Sequence, residues 1–344
     1  MKKIAYGVIA IGGTIALLVL GKSFLIPFVY GIVLCFIMYQ IKNLVKKVPP
    51  FGKKIPGWVL NITVFAVVFA ALTFMSKLIV NNIAELSANS ATYQTNISKV
   101  IADLSSLLNI NMNDQLASLI EGINYRSLLQ EIADGLSSTA GNVIMVCLYA
   151  AFIISEESSF EEKIKKLYSK EENYNRANAL LGKIGEASGN YIRLKTYLSL
   201  LTGVVGYIFL MIVGVDGAFF WAFLLFALNY IPTIGSLLAT IFPAVFSLLQ
   251  FGEIGPFIII LVGLGVLEWL IGNIIEPRIM GKSLNLSPLV TILALVIWGQ
   301  IWGLTGMLLS TPITVIMVII FSQFKSTKQV AILLSENGDI EHIE

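Results

Sequence analysis

The chain reads as an all-α protein that crosses a membrane many times, and three observations carry that reading. It is 56% hydrophobic and 13% charged, with mean hydropathy +0.83, whereas soluble domains run about 45–50% apolar and about 25% charged. Its apolar runs are long enough to serve as spans of about 20 residues. Its charged residues collect between those runs rather than within them. The expected architecture is a polytopic helical membrane protein with about eight spans plus a broken or re-entrant C-terminal hairpin, and two helical extramembrane inserts.

Residues 4–20 and 24–41 form an opening pair around the turn Gly21-Lys22-Ser23. Lys2 and Lys3 before an apolar run are signal-like, but no small-residue cleavage site follows, so the segment reads as a retained helix. Spans at 58–79 and 136–154 come next, then 197–213 and 219–231, hinged at Gly214-Val215-Asp216-Gly217. Spans at 234–249 and 256–275 follow, and 289–320 is the final bent hairpin. The expected division is three N-terminal helices (1–79), an exterior insert (80–135), a fourth span (136–154), a cytoplasmic insert (155–196), a C-terminal core with two broken hairpins (197–324) and a tail (325–344).

Lysine and arginine orient the bundle, since cytoplasmic loops carry the excess of them. Lys42, Lys46, Lys47, Lys53 and Lys54 mark one loop, and eight Lys and Arg from Lys163 to Lys195 mark residues 155–196. Residues 80–135 hold only Lys99 and Arg126 against six carboxylates. Both termini and residues 155–196 are therefore expected inside, and 80–135 outside. The exterior insert repeats an apolar seam, first Ile97, Ile101, Leu104 and Leu108, then Leu116, Leu119, Ile120 and Ile123, then Leu128, Leu129, Ile132 and Leu136. Such stripes pack on each other, on the membrane or on another subunit. In the cytoplasmic insert Leu180, Ile184, Ala187 and Tyr191 form a narrow apolar stripe that continues without proline into the fifth span.

The last third of the chain is the most informative. Two long apolar segments are interrupted, one by Asn229-Tyr230-Ile231-Pro232-Thr233-Ile234-Gly235, the other by Gly299 to Gly306. Irregular backbone at membrane depth is tolerated only in protein or beside a water-filled cavity, and paired interruptions point to a transport site. Pro232, Gly235, Gly303 and Gly306 are the expected helix breakers, with Asn229 and Gln300 as hydrogen-bonding groups beside them. Capping of their own broken helices is the alternative role for both. Glu268 lies inside its span, where a carboxylate costs about 2.5–3.5 kcal/mol and so faces protein or water, or is protonated. Glu276, Pro277 and Arg278 are expected to end that span at the cytoplasmic interface, with Glu276 and Arg278 as an interfacial ion pair or as part of a gate. Cys35 and Cys147 both sit in apolar runs, and the one histidine, His342, is in the tail. That pattern offers no disulfide framework or zinc site. No phosphate-binding Gly-x-x-x-x-Gly-Lys-Ser/Thr string occurs. A net charge of +2 argues against nucleic acid as a partner. No cofactor is expected.

The stretch GNIIEPRIMGKSLNLSPLVTILALVIWGQIWGLTGMLLSTPITVI, Gly272 to Ile316, resembles the C-terminal signature of the autoinducer-2 exporter family of bacterial polytopic permeases. The blocks YIR at Tyr191–Arg193 and NYIPTIGSLLATIFPAVFSLL at Asn229–Leu249 match further family blocks in order. The resemblance covers nearly the whole chain and is sharp from about Gly189 onward. It implies a multi-pass protein of the bacterial inner membrane that exports small molecules such as the quorum-sensing furanosyl diester, or exchanges sodium or lithium for protons. Some members are instead linked to sporulation. Homo-oligomers, with the pentamer as one size, are implied as well. By motif match Pro232, Gly235, Glu276, Pro277, Gly281, Pro288, Gly303, Gly306 and Pro312 fall on family positions. A polar residue, often glutamine, is implied where this chain has Glu268, so a titratable group there is a departure that bears on ion coupling.

The expected function is secondary transport of a small polar molecule or an ion, with membrane lipid as the surroundings and no enzymatic activity. The alternative is a membrane scaffold or sporulation-related protein acting through its soluble inserts. An intramembrane enzyme is disfavoured, since Glu268 alone makes no acid–base pair. Cysteines introduced at residues 80–135 of intact cells should react with an impermeant thiol reagent, and those at 155–196 should not. The reverse labelling would overturn the orientation.

Overall fold

The computed structural model describes residues 2–47, 56–89, 92–93, 95–96, 99–100, 125–168, 170–280 and 285–338, with side chains described except at 2–5, 8, 11, 125–142 and 157–158. Helix is the only regular structure among them. Twelve α-helices and one π-helical turn follow in order: α1 (Lys2–Leu20), α2 (Lys22–Lys47), α3 (Gly57–Ala88), α4 (Tyr125–Leu167), α5 (Glu171–Val213), α6 (Ala218–Leu228), α7 (Ile234–Phe251), α8 (Ile254–Leu270), the π turn Ile271–Ile275, α9 (Glu276–Met280), α10 (Pro288–Trp302), α11 (Leu304–Ser322) and α12 (Lys328–Leu334).

Six stretches among the described residues are long and apolar enough to cross a membrane: α2, α3, α5, α7, α8 through α9, and α11. Val143–Glu156 and Ser159–Leu167 of α4 pass the same test only as a pair bent by 62°, which is either a seventh, broken span or a re-entrant loop. The segment expected to span at 219–231 holds an 11-residue helix. At 1.5 Å per residue it reaches about 17 Å, roughly half of a hydrocarbon core. That helix is too short to span one by itself. The apolar surface of these helices points outward: on α5, Leu200, Val204, Ile208 and Ile212 are exposed while Ser199, Thr202, Gly206 and Leu210 are buried. In water that arrangement would be costly, but lipid tails are as apolar as leucine.

The inserts grow out of the spans. α3, α4 and α5 each run through an expected boundary as one helix, and the 43 residues of α5 make a rod of about 65 Å. The exterior seams over 97–123 lie outside the described residues, and 128–136 falls on the α4 helix. The span expected to stop at Pro277 instead continues through the π turn to Met280. Pro277 has no N–H to donate, and its ring crowds the carbonyl four residues back. The wider π turn just before it makes room, and Asn273 Nδ2 donates to the Trp269 carbonyl at 3.1 Å there.

The chain divides into two compact units, Met1–Val68 with Asn142–Lys195 and Met280–Glu344, and Phe69–Gly141 with Thr196–Ile279. In the first unit, α2 packs on α4 through Gly31, where a Cβ would sit 2.9 Å from Tyr149 Cβ and 3.3 Å from the Ala150 nitrogen. Tyr149 stands edge-on to Phe24 and Phe28. Gly189 seats α5 on α2, a Cβ there lying 3.2 Å from the Phe36 ring. Leu180, Ile184 and Ala187, the stripe expected on the cytoplasmic insert, pack on a cluster of Val315, Val318, Ile319, Ala331 and Leu286.

In the second unit, α5 and α6 run antiparallel, with Gly203 against Phe226 and Gly206 against Leu225. Beyond their far end a clasp ties three segments together. Tyr93 Oη donates to Asp216 at 2.9 Å, the Asp216 N–H to Gln250 Oε1 at 2.8 Å, and Asn96 Nδ2 to the Gln250 carbonyl at 2.7 Å. Burial first, and then the Asp216 carboxylate, push the Tyr93 hydroxyl well above the ordinary tyrosine range. It therefore stays a donor at neutral pH.

Gly31→Ala should lower the apparent melting temperature of the purified protein, an overpacking cost of about 1–3 kcal/mol. Gly265→Ala, in α8 with open space around the new methyl, should leave it unchanged or raise it slightly. Equal melting curves for both variants would remove the tight α2–α4 contact.

Candidate functional site

The first break is a sequence of tight, internally bonded turns between α6 and α7. Ile231 N–H donates to the Leu228 carbonyl at 2.8 Å, and Gly235 N–H to the Ile231 carbonyl at 3.2 Å. Between them Ile234 N–H reaches back to the Pro232 carbonyl at 2.6 Å, a γ-turn centred on Thr233. Thr233 has φ 62° and ψ −56°, a rare and strained geometry for a β-branched residue. Such a conformation costs on the order of 1–3 kcal/mol and persists only where its surroundings enforce it. Gly235 is pressed against the Leu228 carbonyl, and a Cβ there would overlap that oxygen.

Asn229 ends α6 and is buried. Its Nδ2 donates to Ser199 Oγ and to Thr202 Oγ1, each at 3.3 Å. The neighbouring Tyr230 hydroxyl pairs with Thr196 Oγ1 at 2.7 Å. Thr196, Ser199 and Thr202 recur at three-residue spacing, so α5 offers one polar stripe to the break. Glu268 on α8 is 8% exposed. Its level follows from a glycine contact: Gly206 of α5 faces Leu225 of α6 and Leu264 of α8. One turn along each helix from that point come Thr202, Asn229 and Glu268. All three are buried, at one level of the three helices.

The second break belongs to the first unit and is sharper. Gly303 is at once the last cap of α10 and the first of α11, at φ 61° and ψ −140°, a region essentially reserved for glycine. Its N–H bonds the Gly299 carbonyl at 2.8 Å, and Met307 N–H bonds the Gly303 carbonyl at 3.1 Å. Gly306 is pressed against the Trp298 carbonyl as Gly235 is against that of Leu228. Trp302 Nε1 donates to the Leu18 carbonyl at 3.0 Å, and Tyr30 Oη to Thr305 Oγ1 at 3.3 Å. The tip of this hairpin therefore lies by the last turns of α1 and the first half of α2. Gln300 is exposed beside it.

Each interruption was expected, and each is present. Asn229, Pro232, Gly235 and Glu268 fall in the second unit, and Gln300, Gly303 and Gly306 in the first. Glu276 is half-buried, Pro277 and Arg278 are exposed, and Gly281 lies outside the described residues. Neither of the two described cavities is lined by a residue of either break. The larger, about 630 Å³, is in the first unit between α2, α3, α4 and α5. Tyr39, Gln40, Lys42, Asn61, Glu186, Asn190 and Arg193 supply its polar groups, and Ile32, Phe36, Val64 and Ile153 its apolar wall. Arg193 donates to Asn190 Oδ1. Sequence reasoning used Lys42 and Arg193 for orientation, and Arg193 also as part of a motif, and missed the rest. Gln40 and Asn61 within apolar runs and the small face Gly182, Gly185 and Gly189 were the available signals.

The family model for AI-2E family transporters matches residues 8–326. The chain is 32% identical over 274 residues to "AI-2 transport protein TqsA" of Escherichia coli (strain K12), covering 78% of each chain. It is 30% identical over 335 residues to a "Putative transport protein" of Haemophilus influenzae, covering 94% of this chain and 92% of that one. A "Putative transport protein" of Borreliella burgdorferi is 27% identical over 325 residues, 92% of this chain and 87% of that one. A helical polytopic chain that matches the family model over residues 8–326 belongs to the AI-2E family of membrane transporters.

Proposed function

We propose that this protein exports a small, hydroxyl-rich polar molecule, an autoinducer-2-like signal, across the bacterial inner membrane, with both termini cytoplasmic. The observation that carries the reading is the cavity between α2, α3, α4 and α5. Its volume of about 630 Å³ is that of a small-molecule site, mostly apolar with a few convergent polar groups. The amides of Gln40, Asn61 and Asn190 donate and accept, as recognition of hydroxyls needs, and Arg193 suits a substrate that carries negative charge.

The polar layer Thr202–Asn229–Glu268 is assigned the ion step, sodium or proton exchange with Glu268 as the titrating group. The strained turn at Thr233, with Pro232 and Gly235, and the tip at Gly303 and Gly306, with Gln300, are assigned to movement. Each is a point where backbone dihedrals change sharply within a rigid hairpin. Glu276, Pro277, Arg278 and Gly281 form the cytoplasmic gate in this reading. The working unit is a homo-oligomer.

Substrate flux in proteoliposomes, with proton and sodium gradients imposed separately, tests the reading. Arg193→Gln should slow flux by about tenfold or more, the effect of removing one charge-assisted contact, with insertion and assembly intact. Wild-type flux in that variant would move the substrate site elsewhere. Glu268→Gln should keep flux but lose its dependence on the imposed ion gradient, and retained dependence would return Glu268 to a structural role. A well-folded wild-type protein with no flux under any gradient would favour a scaffold acting through its inserts.

A further inference from the structure

On α5 the cavity of about 630 Å³ is bordered by Gly185, Glu186, Gly189, Asn190 and Arg193. Their spacing puts them on one face of the helix, with Gly185, Gly189 and Arg193 in a single row along it. A glycine inside a helix lowers its stability relative to alanine, so each of the two needs a physical reason. At Gly189 the reason is packing, since a Cβ there would lie 3.2 Å from the Phe36 ring of α2. At Gly185 it is not. A Cβ there would meet nothing within 4 Å, yet the residue is half-buried and borders the cavity.

The helix register says what stands level with that bare position. Tyr30, early in α2, meets Thr305 near the start of α11, while Arg176, early in α5, meets Gln323 just past its end. α2 and α5 therefore run antiparallel. One turn on from the contact of Phe36 with Gly189, Gln40 stands level with Gly185, and both line the cavity. Helical side chains lean back over the preceding turn, so a missing one uncovers that turn. Its carbonyls each keep a second lone pair that a hydroxyl can use. We propose that Gly185 is the specificity-determining residue of this cavity: its bare backbone, level with the Gln40 amide, admits the bulk of a hydroxyl-rich substrate that any side chain there would exclude. This inference rests on the reading of the cavity as the substrate site. Arg193 lies eight residues along the row, about 12 Å away, so the two positions can be tested separately.

The test measures autoinducer-2 flux through the full-length protein in proteoliposomes, with the melting temperature as a check on folding. Gly185→Ala should slow flux about tenfold and Gly185→Leu on the order of a hundredfold, the range in which a pocket discriminates by single methylenes. Gly182→Leu makes the same change one turn away, at an exposed glycine with equally open surroundings that does not border the cavity. It should transport as wild type does. All three variants replace a helical glycine by a better helix former, so their melting temperatures should hold or rise. If Gly185→Leu nevertheless melts early, Gly185→Ala alone decides. Wild-type flux at Gly185, or an equal loss at Gly182, overturns the role of Gly185. Where Arg193→Gln still slows flux in that case, the cavity remains the substrate site and only Gly185 loses its role. A wild-type protein that carries no autoinducer-2 overturns the export reading first, and this inference with it.

Discussion

A backbone that leaves its helix inside a bilayer finds no water, so every freed N–H and C=O must be met by protein. Both interrupted hairpins of this transporter obey that constraint in the same way. Their turns close on themselves, Ile231 onto Leu228 and Gly235 onto Ile231 in one, Gly303 onto Gly299 and Met307 onto Gly303 in the other. In each, a glycine early in the returning helix is pressed on a carbonyl of the incoming one, Gly235 on Leu228 and Gly306 on Trp298. Close approach of this kind is available only without a Cβ, so the hairpins depend on two glycines more than on any side-chain contact.

The same constraint explains where polar side chains sit. Asn229 would be expensive at the end of a buried helix, and α5 supplies Ser199 and Thr202 to receive its amide. Polar residues gather in two further places, around the cavity that Arg193 lines and around the one that Lys183 lines. α5 contributes to all three.

The two turns differ in what they store. Gly303 reaches its unusual dihedrals without strain, because glycine visits that region freely. Thr233 does not, since a β-branched residue at positive φ works against its own side chain. One hairpin tip is relaxed, and the other is held by its surroundings. In a transporter the strained turn is the better candidate for a point that changes conformation.

Composition and hydropathy alone determined that this is a helical membrane protein, because the bilayer admits only helices and closed barrels and the apolar runs have helical span length. The positions of the breaks were legible too, since proline and glycine inside an apolar run have few other uses. So was the stripe Leu180, Ile184 and Ala187, whose spacing required a packing partner. The sequence did not show that the helix within 219–231 is only 11 residues long, because apolarity is the same on either side of a tight turn. It did not show that the helix passes Pro277, because a π turn has no signature in composition. Neither cavity could be read from it. Gln40 and Asn61 lie far from Arg193 along the chain, and Arg176 and Lys183 lie far from Lys325 and Lys328. Only the packing of α5 on α2 and on α11 brings these segments together.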